Sequence, residues 1–259
     1  IGNTARIILC SSILAVLLGS CTKENPESSI LDENKTDTRL KSAMTTNTSA
    51  TATDSIDNTI YYNNGLVAAD ALSNGKGTTM VAGQVATSNY NRRAVLKFHM
   101  PTLHAGYVID STTLTLYAVK NAKDSTFARS FSLYKLTAAF GEGNSVTTNA
   151  GVGAAAQTGD ATWKWSFYSS TQWGTYGGSY ESTASASQTI GVDEVPTDVI
   201  FSSTQMTTDV QNWYSSPSSN YGWIIKGEEN KLLTATEFAS VQYTANVNNR
   251  PKLTIYYHY

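Results

Sequence analysis

The sequence contains little sulfur and few histidines. The two cysteines among its 259 residues, Cys10 and Cys21, both lie close to the N-terminus. A disulfide framework or a cysteine-based metal site in the rest of the chain is therefore excluded. The three histidines are His99, His104 and His258, which are too few and too scattered to indicate a histidine-rich centre. We expect no zinc chemistry.

Charge is also scarce. Lys, Arg, Asp and Glu make up 15% of the residues, and the formal net charge is −2. No overall field would attract nucleic acid or an anionic membrane surface, so we expect no nucleic-acid partner. Helix-favouring patterns are nearly absent beyond the N-terminus, whereas Ser, Thr, Asn, Gly and Tyr are plentiful. This composition is typical of a secreted all-β protein with short strands and polar turns.

Residues 1–21 have the pattern of a lipoprotein signal peptide. Arg6 precedes an apolar run over residues 7–18, shorter than the ~20 residues that a membrane span needs. Residues 18–21, Leu-Gly-Ser-Cys, are similar to a bacterial lipobox, in which cleavage exposes the cysteine for lipid attachment. We predict lipidation of Cys21 and anchoring by acyl chains in the cell envelope, at the outer membrane or cell surface. The alternative is a buried apolar helix with an incidental cysteine.

Residues 22–53 are polar and have no periodic apolar face. Such a segment cannot bury enough apolar surface to offset the entropy lost on ordering. We therefore predict a flexible tether over residues 22–53 and a folded module over residues 54–259.

Residues 91–100 alternate between apolar and mostly basic side chains, which predicts a half-buried β-strand. One face should join a core, while basic groups on the other face stand about 7 Å apart. The apolar face comprises Ala94, Leu96, Phe98 and Met100. The opposite face comprises Arg93, Val95, Lys97 and His99.

Similar short segments, separated by turn signals, follow along the module. The predicted strands are residues 54–62, 113–119, 131–136, 199–201, 221–226, 238–243 and 252–257. Met206, Val210 and Trp213 recur at helical spacing and predict one short helix. The Gly-, Ala-, Ser- and Thr-rich region 141–191 is predicted to form long loops with an aromatic surface. The pattern favours an all-β fold, an antiparallel two-sheet β-sandwich.

Four pairs of motifs occur in a fixed order through the module. They are residues 92–98 with 109–117, 159–163 with 173–178, 208–213 with 220–223, and 238–240 with 250–253. In this order they resemble the DNRLRE-type domain, a secreted β-sandwich related to carbohydrate-binding modules. The resemblance covers residues 54–259 and implies a jelly-roll-like, non-catalytic module, found alone or attached to polysaccharide-processing enzymes. Some relatives bind acidic polysaccharides such as alginate.

The basic face of the strand at 91–100 is the first candidate binding surface. Arg93, Lys97 and His99 would lie there, with Tyr117 on a neighbouring strand. Arginine recognises carboxylates in a bidentate manner and lysine adds a mobile charge, which suits a glycan that carries uronates. The alternative is a solvated sheet face on which Arg93 is tied to a nearby carboxylate.

Aromatic side chains in the region 141–191 form the second candidate. Trp165, Tyr176 and Tyr180 are the side chains expected to stack on sugar rings, since aromatic rings offer an apolar face with a polar tip. Trp163 and Trp173 belong to the motifs that the chain shares with this family, and the resemblance implies a structural role for both.

Calcium is a candidate cofactor, because jelly-roll modules often carry it. Asp54, Asp57 and Asn58 offer oxygen ligands near the start of the module. The alternative for these residues is turn and cap chemistry.

The combined prediction is a lipid-anchored module that binds polysaccharide, without catalysis, for neighbouring glycan-degrading or uptake proteins. One alternative is a structural or adhesion component that binds other proteins. A second is a polysaccharide lyase, in which His99, Arg93 and Tyr117 would have to be adjacent.

Overall fold

The computed structural model describes residues 45–53, 55–66, 71–123 and 126–259. The predicted signal peptide, Cys21, most of the predicted tether and Asp54 lie outside the described residues. The described residues are mostly β-structure, and every strand pair among them is antiparallel. The prediction of an all-β, antiparallel fold is therefore confirmed.

Fifteen strands and one α-helix lie in the described part of the chain. The strands are β1 (Asn47–Ala52), β2 (Ser55–Asn63), β3 (Leu72–Ser73), β4 (Thr79–Gln84), β5 (Tyr90–Phe98), β6 (Val108–Asn121), β7 (Arg129–Leu136), β8 (Ala154–Ala155), β9 (Trp165–Phe167), β10 (Thr171–Gln172), β11 (Tyr180–Ile190), β12 (Thr197–Phe201), β13 (Trp223–Gly227), β14 (Thr236–Ala239) and β15 (Lys252–His258). The helix is α1 (Thr204–Ser215).

Eleven of these strands form one large, curled sheet. Its order is β1-β15-β6-β14-β4-β5-β13-β7-β11, with β12 paired to β6 and β2 paired to β5. Strand β4 connects two arms, since residues 79–82 pair with β14 while Gly83 and Gln84 pair with β5. We call the strands on the β14 side the first arm and those on the β5 side the second arm.

Both arms cover the same apolar core. Leu116 and Leu253 of the first arm belong to one buried cluster with Leu96 and Ile225 of the second. The sheet curls because the apolar faces of the two arms leave water by packing against this shared cluster.

Strand β5 lies inside the sheet, between β2 or β4 on one side and β13 on the other. Ala94, Leu96 and Phe98 are buried in the shared core, as predicted. Met100 lies beyond the end of the strand and packs against the same core while partly exposed.

The predicted helix is also confirmed. The Ser203 side chain accepts a hydrogen bond from the Met206 N–H at 2.9 Å and caps the first turn. Met206, Val210 and Trp213 are all buried, so the helix packs its apolar stripe onto the core.

No helix in the described residues combines the length and apolarity needed to cross a membrane.

Two boundaries differ from the prediction. Residues 47–52, placed in the tether, form β1 and pair with β15 along their whole length. Residues 180–190, placed in the loops, form β11 and pair with β7. Both segments consist mainly of Ser, Thr, Ala and Asn. Backbone hydrogen bonds to a neighbouring strand hold such segments without an apolar alternation in the sequence.

Gly83 marks the point where β4 passes from one arm to the other, and its substitution tests this geometry. Its φ is +112°, and an added Cβ would lie 2.6 Å from the Thr234 carbonyl oxygen. We expect Gly83→Ala to lower the free energy of unfolding by roughly 2–4 kcal/mol, from backbone strain plus overpacking. Urea denaturation followed by tryptophan fluorescence measures the change.

Gly106→Ala is the matched control, because Gly106 has a φ of +80° and no atom within 4 Å of an added Cβ. It should lose only about 1 kcal/mol. Equal losses at the two glycines would show that the close approach at Gly83 does not constrain the fold.

Candidate functional site

The basic face of β5 is covered by a layer of chain. Val95 lies in a second buried cluster together with Phe140, Ala161 and Trp173, which come from the region 136–173. Arg93, on the same face, is only 8% exposed. The prediction that this face is open to solvent is therefore wrong at Arg93. Farther along the strand, Lys97 is partly exposed and His99 is exposed.

Arg93 is held by an internal ion pair. Its Nε and Nη2 donate to the two carboxylate oxygens of Glu229 at 2.5 and 2.7 Å. Its Nη1 donates to the Gly177 carbonyl oxygen at 2.7 Å, and its guanidinium lies 4.4 Å from the ring centroid of Trp163. The sequence alternative is a solvated face with Arg93 tied to a carboxylate; the ion pair is observed, but the face is not solvated at Arg93. We call Arg93, Glu229, Trp163 and Gly177 the arginine clamp.

Gly177 fits the clamp because it has no side chain. Its φ is +85°, and an added Cβ would lie 2.6 Å from Nη1 of Arg93 and 2.7 Å from the Trp163 ring. Its N–H donates to the Trp163 carbonyl oxygen at 2.6 Å. The clamp therefore fixes the backbone directly beside Tyr176.

Tyr176 belongs to a surface group with Lys164 and Trp165, which we call the aromatic loop cluster. The Lys164 ammonium lies 5.8 Å from the ring centroid of Trp165 and 5.9 Å from that of Tyr176. Tyr176 is 53% exposed, and Trp165 is partly exposed. This arrangement places a cation within about 6 Å of the centroids of two rings that are at least partly exposed to solvent.

Trp173 holds this loop region in place from its buried side. Its indole Nε1 donates to the Thr162 carbonyl oxygen at 2.9 Å, and its backbone N–H donates to the Lys164 carbonyl oxygen at 3.1 Å. The side chain is buried in the cluster with Val95. Trp173 is thus structural, as the resemblance implied, and Trp163 is likewise engaged in the clamp.

Tyr180 lies at the start of β11 and contacts a different lysine. The Lys226 Nζ donates to the Tyr180 hydroxyl at 2.9 Å and lies 5.1 Å from its ring centroid. The Tyr134 ring is 5.3 Å from that of Tyr180. Tyr180 is therefore partly buried among sheet residues.

The sequence analysis did not predict a role for two lysines, Lys164 and Lys226. Lys226 could have been found by parity, since it follows Ile224 on the face opposite Trp223 and Ile225.

Tyr117 lies in the other arm of the sheet. In the described ladders β6 pairs with β12, β14 and β15, whereas β5 pairs with β2, β4 and β13. Tyr117 faces Asp198 of β12 across the ladder. The expectation that Tyr117 lies on the strand next to Arg93 is wrong, and the strand neighbourhood required for the lyase alternative is not formed.

Lys97 and His99 border a cleft of about 550 Å³ together with Tyr107, Tyr214 and Asn220. The Tyr214 hydroxyl donates to the Pro101 carbonyl oxygen at 2.7 Å inside this region. Burial and the neighbouring Tyr107 and Tyr257 raise the pKa of Tyr214, so its hydroxyl stays protonated. These two predicted site residues therefore line one cleft, and none of the residues of the aromatic loop cluster lines it.

Of the three predicted calcium ligands, Asp57 and Asn58 lie in the described residues. Asp54 lies outside the described residues. The Asn58 Oδ1 already accepts hydrogen bonds from the Thr59 N–H, the Ser73 hydroxyl and the Asn74 N–H at 2.7 to 3.0 Å. Asn58 is thus a structural residue of β2. No group of three or more His, Cys, Asp and Glu side chains suited to a metal occurs in the described part of the chain.

Removal of Arg93 tests the clamp. Arg93→Ala leaves the Glu229 carboxylate, whose side chain is 20% exposed, without its bidentate partner. We expect a loss of roughly 3–5 kcal/mol in the free energy of unfolding, measured by urea denaturation. Lys97→Ala, on the same strand and face, is the control and should change stability by about 0.5 kcal/mol at most. A similar loss from both variants would contradict the clamp.

Comparison with known proteins adds no further constraint. No protein-family model matches the chain, and a search of curated proteins finds no match.

Proposed function

We propose that this chain is a non-catalytic module that binds polysaccharide through the aromatic loop cluster. The observation that carries the proposal is that the Lys164 ammonium lies within about 6 Å of the ring centroids of both Trp165 and Tyr176, two side chains that are at least partly exposed. The arginine clamp and the buried Trp173 hold the backbone on both sides of the cluster. A rigid platform of this kind loses little conformational entropy when a ligand binds.

The chemistry of the cluster matches an acidic sugar. The C–H faces of pyranose rings are apolar and pack on aromatic rings, whose polar tips remain hydrated. The Lys164 ammonium adds an attraction for a carboxylate, such as that of a uronate. Since this charge is solvent-accessible, binding should weaken as ionic strength rises.

The family of the module and its attachment to the membrane are part of the same proposal. We place the module in the DNRLRE-type group, with a jelly-roll-like, two-sheet fold. A curled antiparallel sheet with one shared core supports that placement. The lipobox-like residues 18–21 support an acyl anchor at Cys21 in the bacterial cell envelope. The module would then capture polysaccharide for neighbouring degradation or uptake proteins.

Affinity electrophoresis through gels that contain a polyuronate or a neutral glucan tests the function. The chain should be retarded by the polyuronate, and Trp165→Ala or Tyr176→Ala should weaken binding roughly tenfold, equivalent to ~1.4 kcal/mol. Lys164→Met should remove the preference for the acidic polymer while it leaves the ring contacts. Circular dichroism confirms folding of each variant.

Tyr256→Ala is the matched control, because Tyr256 is an exposed tyrosine on β15 of the first arm. Its retardation should equal that of the unmodified chain. Retention of full binding in all three cluster variants would move the site elsewhere. Release of unsaturated oligosaccharides from the polymer would instead support the lyase alternative.

A further inference from the structure

Three buried side-chain oxygens near the edge of β2 have no hydrogen-bond partner among the described residues. They are Oδ1 of Asp57, Oε1 of Gln242 and Oγ of Ser55. Asp57 is 1% exposed, so its free oxygen has no access to bulk water. A buried carboxylate with an unpaired oxygen is costly, and a native protein normally satisfies it with a partner, a water or an ion.

Hydrogen bonds connect the segments that carry these oxygens to a second carboxylate, that of Glu142. Ser55 and Asp57 alternate on β2 and therefore project from the same face. The Val241 N–H donates to Oδ2 of Asp57 at 2.7 Å, which places the adjacent Gln242 beside it. The Gln242 Nε2 in turn donates to Oε1 of Glu142 at 2.7 Å.

The backbone around this group is firmly held. The Asn58 Nδ2 donates to the Glu142 carbonyl oxygen at 2.8 Å, and the Ser240 hydroxyl donates to the Gly77 carbonyl oxygen at 2.7 Å. Gly75 permits the close approach of the Glu142 segment, since an added Cβ would overlap the Glu142 carbonyl oxygen. The oxygen donors are therefore set by contacts that do not involve the unpaired atoms.

We propose that Asp57, Glu142 and Gln242 form a binding site for a hard divalent cation, with calcium as the best match. Two carboxylates and an amide oxygen are the donor types that calcium takes in proteins, and Ser55 adds a hydroxyl on the same face. The cation would replace the missing partners of Asp57 and Gln242. It would also join β2 to the segment after β14, two parts of the chain far apart in sequence.

Lys76 is the internal competitor for this cation. Its ammonium pairs with Oε2 of Glu142, and its side chain is 39% exposed. It can therefore move toward solvent when a divalent ion enters. Burial is the main cause that raises the pKa of Asp57, to about 7. A proton on Asp57 is the rival explanation for the unpaired oxygens.

Unfolding of the purified chain by heat, at rising calcium concentration and constant ionic strength, tests the site. The midpoint should rise with calcium in the unmodified chain, and more weakly with magnesium, which demands stricter geometry. Asp57→Asn should remove the dependence. Asp198→Asn changes an exposed carboxylate on β12 and is the matched control, with the dependence intact.

Two further variants act in the opposite direction and do not depend on the folding of Asp57→Asn. Gln242→Glu adds a charge to the site and should tighten calcium binding about tenfold, as affinity follows ligand charge. Lys76→Met removes the competitor and should also tighten it. Titration calorimetry measures both, with calcium alone as the ligand.

The proposal is overturned if calcium shifts neither the unfolding midpoint of the unmodified chain nor that of Lys76→Met. It is also overturned if Asp57→Asn stabilises the chain at neutral pH while calcium has no effect on either form. That second result would assign the unpaired oxygens to a bound proton. Neither outcome depends on polysaccharide binding, because the readouts contain no glycan.

Discussion

The ion pair between Arg93 and Glu229 is the contact on which the candidate site depends. Arg93 projects from β5 into the layer formed by residues 136–173, where an unpaired guanidinium would be costly. The bidentate bond to Glu229 satisfies two of its nitrogens, and the third bonds the Gly177 carbonyl. One side chain thus joins the centre of the sheet to the loop that carries Tyr176.

This arrangement separates the supporting contacts from the candidate binding surface. The face of β5 that resembles a cationic binding surface is used internally, and the accessible cation and rings lie above it, on Lys164, Trp165 and Tyr176. Loops held on a rigid sheet are the usual place for binding residues, because the sheet supplies order while the loop supplies accessible side chains. Removal of Arg93 would therefore affect the candidate binding surface only through the loop backbone.

The edge of β2 has a different organisation. There the polar groups are buried but incompletely paired, whereas Arg93 has a complete set of strong partners. Asp57 lies where β2, the Glu142 segment and the segment after β14 meet. Its unpaired oxygen is a feature that a native protein normally compensates with a water, an ion or a proton. The two regions therefore bear on separate proposals, one about recognition and one about stability.

Local patterns in the sequence determined the antiparallel β-structure, the apolar face of β5 and the helix with Met206, Val210 and Trp213, because each depends on spacing along the chain. Only the tertiary structure decided that Arg93 is buried and that Tyr117 lies in the other arm. Glu229 is 136 residues from Arg93, and the covering layer comes from residues 136–173. A local alternation cannot show what packs on its polar face, since that depends on contacts made by distant segments.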